Sequence, residues 1–280
     1  MNTTPQKLTF DGSIYREHLI LYMDILGYSD LMLYGEEKKK QGVLEIQKQL
    51  LDFDKSGFYH QDGEKVTPQP LTTLLSDTFV CSYPMDDLRQ VARDFGIKAA
   101  LIEFQRHSVH VHNLFMKRGM LIRGAVVIGK IVNHNGMAYG EGLAIARKLE
   151  SGKPPFIYYD PAVMELMQII GTSAIPFRLN ECIFNCSESG ATCYDWLKHG
   201  FLCAMWNTRR MPQFLDLLEK QIRTINENLS ATKNNPRAHE KWLAVAKHVD
   251  GTIKEHNTLY SSPHSSEPDW LYHGEPIRFP

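Results

Sequence analysis

A chain of 280 residues with 43% hydrophobic residues, 31 Lys and Arg against 32 Asp and Glu, and a formal net charge of -1 has the composition of an ordinary globular protein with a sizeable core. That balance leaves no electrostatic footprint for nucleic acid, the longest cationic run being "KKK" at 38–40 in a mixed segment. No apolar stretch approaches the roughly 20 residues that span a bilayer, and five cysteines with neither a disulfide framework nor a leader segment point to the reducing cytoplasm.

In chain order, "HLILYMDILGY" at 18–28 predicts a strand. The following "SDLMLYGEEKKKQGVLEIQKQLLDF" has apolar positions at helical spacing with a polar break near Gly42, predicting one or two helices. Pro68 and Pro70 introduce "LTTLLSDTFVCSY", a hairpin bending at Ser76 and Asp77. Met85 to Lys117 reads as a long helix with Phe95, Ala99, Ile102, Phe104 and Phe115 available to its inner side. "MLIRGAVVIGKIVNHNGMAYG" predicts two strands joined by an Asn/Gly turn, and "EGLAIARKLES" a helix that stops before Gly152 and Pro154.

"FIYYD", "PAVMELMQII" and "FRLNECIFN" continue as strand, helix and strand. Beyond Pro212, "QFLDLLEKQIRTINENL" and "AHEKWLAVAKHVDGTIKEH" are amphipathic helices joined by "SATKNNPR", an α-hairpin followed by an irregular tail from Ser261. This order predicts an α+β fold with a mostly antiparallel sheet over residues 1–211, and a helical hairpin with its tail over 212–280.

Two carboxylates sit in apolar surroundings. Asp24 follows Ile20, Leu21, Tyr22 and Met23, and Asp77 lies between "LLS" and "TFV". An ionised carboxylate withdrawn from water costs several kcal/mol unless paired, hydrogen-bonded or metal-bound. Each Asp alone reads equally well as the cap of a turn. Together, at the ends of neighbouring strands, they suit hard divalent cations and hence phosphoryl transfer. Arg123 in "LIRGAVVIG", beside Gly124, is the cation available for phosphates; the competing reading is a surface arginine on a strand edge. "HSVHVH" places His107 and His110 on one helical face and His112 off it, so three ligands cannot converge, and solvated helix histidines are expected.

Four stretches in order then resemble class III nucleotide cyclases: "YMDILGYSDL" the F-x-D-I-x-G-F opening, "LLSDTF" the Gly-Asp hairpin, "RGAVVIG" the R-V-G-I strand, and "MAYGEGLAIARKLES" the helix that ends in R-L-E. The "MDILGYS" wording is most similar to the pyrimidine cyclases of Pycsar anti-phage defence. The resemblance covers about residues 18–151 and implies a ferredoxin-like core within a catalytic domain of residues 1–211. It implies two Mg²⁺ or Mn²⁺ ions held by Asp24, Asp77 and the backbone carbonyl of Ile25. Arg123, Gly27 and Tyr28 would contact a nucleoside triphosphate. The reaction would convert UTP or CTP to the 3′,5′-cyclic nucleotide and pyrophosphate, in a homodimer with composite sites, and the product would reach a downstream effector.

The resemblance has gaps. Ala144 stands where purine cyclases carry a transition-state Asn, and Lys148, beside Arg147, stands where they carry Arg. Lys148 is then either a catalytic cation or a solvated helix residue. Thr73 and Met137 occupy the purine cyclases' base-reading positions, which implies a one-ring pocket, UTP preferred and CTP open. A cyclase-fold binding or sensor module that has lost catalysis is the alternative function.

Overall fold

A computed structural model describes residues 14–51, 70–90, 95–134, 136–170, 182–206, 208–261 and 271–279. Expectations that fall at Pro68, at 91–94, at residue 135 in the Asn/Gly turn and at 177–181 lie outside the described residues.

The first half runs β1 (Arg16–Ile25), α1 (Tyr28–Tyr34), α2 (Glu37–Leu51), β2 (Leu71–Leu75), β3 (Thr78–Pro84), α3 (Met85–Gln90), α4 (Phe95–Met116) and β4 (Ile122–His134). It is followed by β5 (Met137–Tyr139), α5 (Glu141–Glu150), β6 (Ile157–Tyr159), α6 (Pro161–Ile170), β7 (Ile183–Asn185), β8 (Thr192–Tyr194), α7 (Trp196–Trp206), α8 (Met211–Ala231) and α9 (Pro236–Tyr260). The fold is mixed α+β. One sheet runs β2-β3-β1-β4-β6-β8-β7, with β5 paired to β4, and every pairing is antiparallel except β4 with β6.

Strand β1 is central and buried on both faces, which is why it reads as an almost continuous apolar run. Its two faces serve different cores. Leu19, Leu21 and Met23 join the large cluster under the helices, while Ile20 and Tyr22 join a smaller one with Ala125, Val127 and Ala146 of β4 and α5. Asp24 continues the Ile20–Tyr22 row and Arg123 the Val127–Ala125 row, and the register sets Asp24 directly opposite Arg123. The β2–β3 hairpin turns at Ser76 and Asp77 as expected, with Ser76 in a left-handed conformation (φ 57°).

Helix α7 and strand β8 are elements that the sequence reading lacks. The segment "WLKHGFLCAMW" buries Trp196, Leu197, His199, Phe201 and Ala204, and a helix apolar around most of its circumference shows no amphipathic period to detect. The histidine expectation is also corrected. His110 is exposed, but His107 and His112 are buried on the inner side of α4, His112 stacking on Trp196 at 3.9 Å between ring centroids.

Helices α8 and α9 form the expected hairpin. Leu218, Ile222, Ile225 and Leu229 of α8, and Trp242, Val245, Ala246 and Val249 of α9, belong to the same apolar cluster as Leu19 and Met23. Polar ties add direction: Asp195, just before α7, receives Thr252 Oγ1 at 3.4 Å and lies 3.3 Å from His248 Nε2, and Lys198 pairs with Glu255 at 2.9 Å. Among the described residues no helix is long and apolar enough to cross a membrane.

Candidate active site

The C-terminal end of β1, the β2–β3 turn and the start of β4 meet at one end of the sheet's strands. The Ile25 amide donates to the Asp77 carbonyl at 3.0 Å, fixing the turn against β1 and bringing the two aspartates to one cleft of about 490 Å³. Asp24, Ile25, Gly27, Tyr28, Asp77 and Arg123 all line that cleft. Gly27 has φ 77°, the left-handed conformation that glycine adopts without strain, and it turns the chain from β1 into α1. Asp24 and Arg123 touch within the one chain: Arg123 Nη2 and Nε donate to Asp24 Oδ2 at 3.1 and 3.3 Å.

Glu150, the last residue of α5, completes this arrangement and was missed in the sequence. Its side chain is 1% exposed and pairs with Arg123 Nε. Burial raises the Glu150 carboxyl to about 7 against the pull of Arg123, with Asp24 raising it further. Burial likewise raises Asp24 above its usual carboxylate value, with Arg123 pulling it down and Asp77 pushing it up. Arg123 therefore lies between two carboxylates, and a third, Asp77, acts on Asp24 from across the cleft.

This donor set fits a hard divalent cation. Asp24 and Asp77 present carboxylate oxygens to the same cleft, and oxygen donors are what Mg²⁺ and Mn²⁺ prefer. Among the described residues no three His, Cys, Asp or Glu side chains converge, so protein side chains would contribute a pair of carboxylates, with phosphate oxygens and water filling the remaining positions.

Three expected residues lie outside this cleft. Thr73 is 1% exposed and does not line the cleft; its hydroxyl donates to Asn133 Oδ1 at 2.6 Å, and Asn133 Nδ2 donates to Ser82 Oγ at 2.9 Å. With its hydroxyl engaged inside the sheet, Thr73 is not available to a base in this conformation. Met137 is 44% exposed on β5, also outside the cleft. Lys148 and its neighbour Arg147 are both exposed and outside it, and of the two it is Arg147 that acts electrostatically on Asp24 and Glu150. Gly124, beside Arg123, serves strand packing, because a Cβ there would lie 2.1 Å from the Tyr22 carbonyl oxygen of β1.

Two further cleft residues come from the helical hairpin, Arg237 and Lys241 at the start of α9. Burial, then Arg237 and Arg123, lower Lys241 from the usual lysine value, and Asp24 and Asp30 offset part of that. The sequence did carry a signal for them: a cation in the first turn opposes the helix dipole, and "NNPRAHEK" puts Arg237 there after the Asn235 cap. No protein-family model matches this chain, and no curated protein matches it.

Proposed function

We propose that this protein is a nucleotide cyclase that acts on a pyrimidine nucleoside triphosphate, UTP before CTP, releasing the 3′,5′-cyclic nucleotide and pyrophosphate. The observation that carries the reading is the convergence of Asp24, Asp77 and Arg123 on one cleft from three separate chain segments. Strand order supports it as well: β1, helices, the β2–β3 hairpin, helices and β4 form an antiparallel β2-β3-β1-β4 sheet, the connectivity of a ferredoxin-like core.

In this reading Asp24 and Asp77, with the Ile25 backbone beside them, hold two Mg²⁺ or Mn²⁺ ions. When bound, the ions activate the ribose 3′-oxygen and neutralise charge on the leaving phosphates. Arg123 exchanges part of its contact with Asp24 for a phosphate oxygen, a move that Glu150 guides by retaining the guanidinium from its other side. Arg147 supplies the α5 cation expected of Lys148. The base pocket is formed between two copies of the chain, and exposed apolar residues near β5 and α5, Met137, Tyr139 and Ile145, support a self-associating face. The cyclic product acts in the cytoplasm as a second messenger of anti-phage defence and engages an effector.

The test is incubation of the purified protein with equal concentrations of the four nucleoside triphosphates and Mn²⁺, with products identified by mass. Cyclic UMP or cyclic CMP is expected. A purine product would overturn the base preference, and metal-dependent nucleotide binding without any product would replace the enzyme with a binding or sensor module.

A further inference from the structure

Arg237 and Lys241 lie one helical turn apart on α9, and with Arg123 they line two adjoining clefts. The first cleft is the one containing Asp24 and Asp77. The second, of about 770 Å³, lies between β4, the 151–154 turn, the β7–β8 turn and α9, with Lys153 on its wall. The three cations thus form a wall common to both.

This placement runs against what helix and charge physics favour on their own. Arg237 sits in the first turn of α9, where the dipole disfavours a positive charge, and burial and two neighbouring guanidiniums lower Lys241. Neither residue forms an ion pair among the described residues. Asp30 faces Lys241 from α1, and Glu188 and Glu240 share the second cleft, yet none of them forms a salt bridge with these cations. Arg123 is held by Asp24 and Glu150, but Arg237 and Lys241 stand beside it with no salt bridge of their own among the described residues, and two such cations at a cleft are an arrangement that a polyanion would stabilise.

The rest of α9 accounts for why the geometry persists. Val245, Val249, Thr252 and His256 continue the same helical side into the core, and the Asp195 contacts with His248 and Thr252 fix its rotation. The two N-terminal turns are carried over the cleft by a helix anchored along its length.

Resting on the cyclase reading, we propose that α9 is a phosphate clamp supplied by the same chain: Arg237 and Lys241, with Arg123, bind the β- and γ-phosphates of the triphosphate and the departing pyrophosphate. The α-phosphate lies toward Asp24 and Asp77, and the polyphosphate tail extends along the cationic wall.

The experiment is calorimetric titration of the full chain with Mg²⁺ and inorganic tripolyphosphate, beside steady-state cyclase kinetics. Lys241→Gln and Arg237→Gln should each weaken tripolyphosphate about tenfold, the loss of one charge-assisted hydrogen bond. KM for the nucleotide should rise by a similar factor, and Lys241→Arg should restore most of the binding. Lys247→Gln, an exposed α9 lysine outside both clefts, should change nothing. Unchanged affinity in the Lys241 and Arg237 variants, or an equal loss in the Lys247 control, overturns the clamp. If the wild type cyclises nucleotides while these variants bind and turn over normally, the clamp alone fails. If the wild type makes no cyclic product yet binds tripolyphosphate through Lys241, the clamp stands and the cyclase reading fails.

Discussion

Replacing Glu150 by Gln isolates the energetic cost of the charge that holds Arg123. The side chain is 1% exposed, and its carboxyl lies at about 7 in the folded protein, against 4.5 for an ordinary glutamate. Between those two pH values the native state retains a proton that the unfolded chain has lost, so stability falls as pH rises. The contribution is fully present below 4.5 and lost by the time pH passes about 7, a change of roughly 3 kcal/mol. Glutamine keeps the shape and an oxygen acceptor but cannot ionise. Wild type and Glu150→Gln should therefore be close in stability at pH 5, and the wild type should lose roughly 3 kcal/mol relative to the variant by pH 8. Urea unfolding at pH 5, 6, 7 and 8 measures the gap, and taking the difference between the two proteins cancels the titrating groups that do not interact with Glu150. A gap that stays constant with pH, or one that moves in the wild type's favour, would refute the account of Glu150 as a carboxylate raised by burial.

Asp24→Ala and Asp77→Ala should each lower pyrophosphate release at least about a thousandfold while the protein stays folded, since a metal ligand is removed without opening a core cavity; full turnover in either folded variant sinks the two-metal assignment. Asp24→Ala and Arg123→Ala subunits, co-folded, should remain inactive because the two residues touch within one protomer, and recovery of activity would show that they act across the dimer. Thr73→Val should cost about 1–3 kcal/mol by leaving Asn133 Oδ1 buried without its donor, with the ratio of cyclic UMP to cyclic CMP unchanged. A shift in that ratio without a loss of stability would return Thr73 to the base pocket.

Local pattern was enough wherever one residue's neighbours in the chain are also its neighbours in space. The β1 run, the Ser76–Asp77 turn, the helix over 141–150 and the α8–α9 hairpin follow from apolar period, turn residues and caps, and a charge inside an apolar strand marked Asp24 as needing a partner. What that partner is depended on register. Only the β1–β4 pairing puts Arg123 opposite Asp24, and only the packing of α5 on the same sheet face brings Glu150 to the far side of the guanidinium.

The same limit applies to the positions placed by motif that lie outside the cleft. Thr73, Met137 and Lys148 were placed by position in a motif, but a hydroxyl's availability and a side chain's exposure are set by the elements that pack around them. The sequence by itself determined the alternation of elements and the two carboxylates that the interior must compensate. The tertiary structure decided that Arg123 pairs with Asp24 and that Arg237 and Lys241, more than a hundred residues beyond Arg123, line the same cleft, because the long-range docking of α9 is determined by buried side chains spread over the whole chain rather than by any local period.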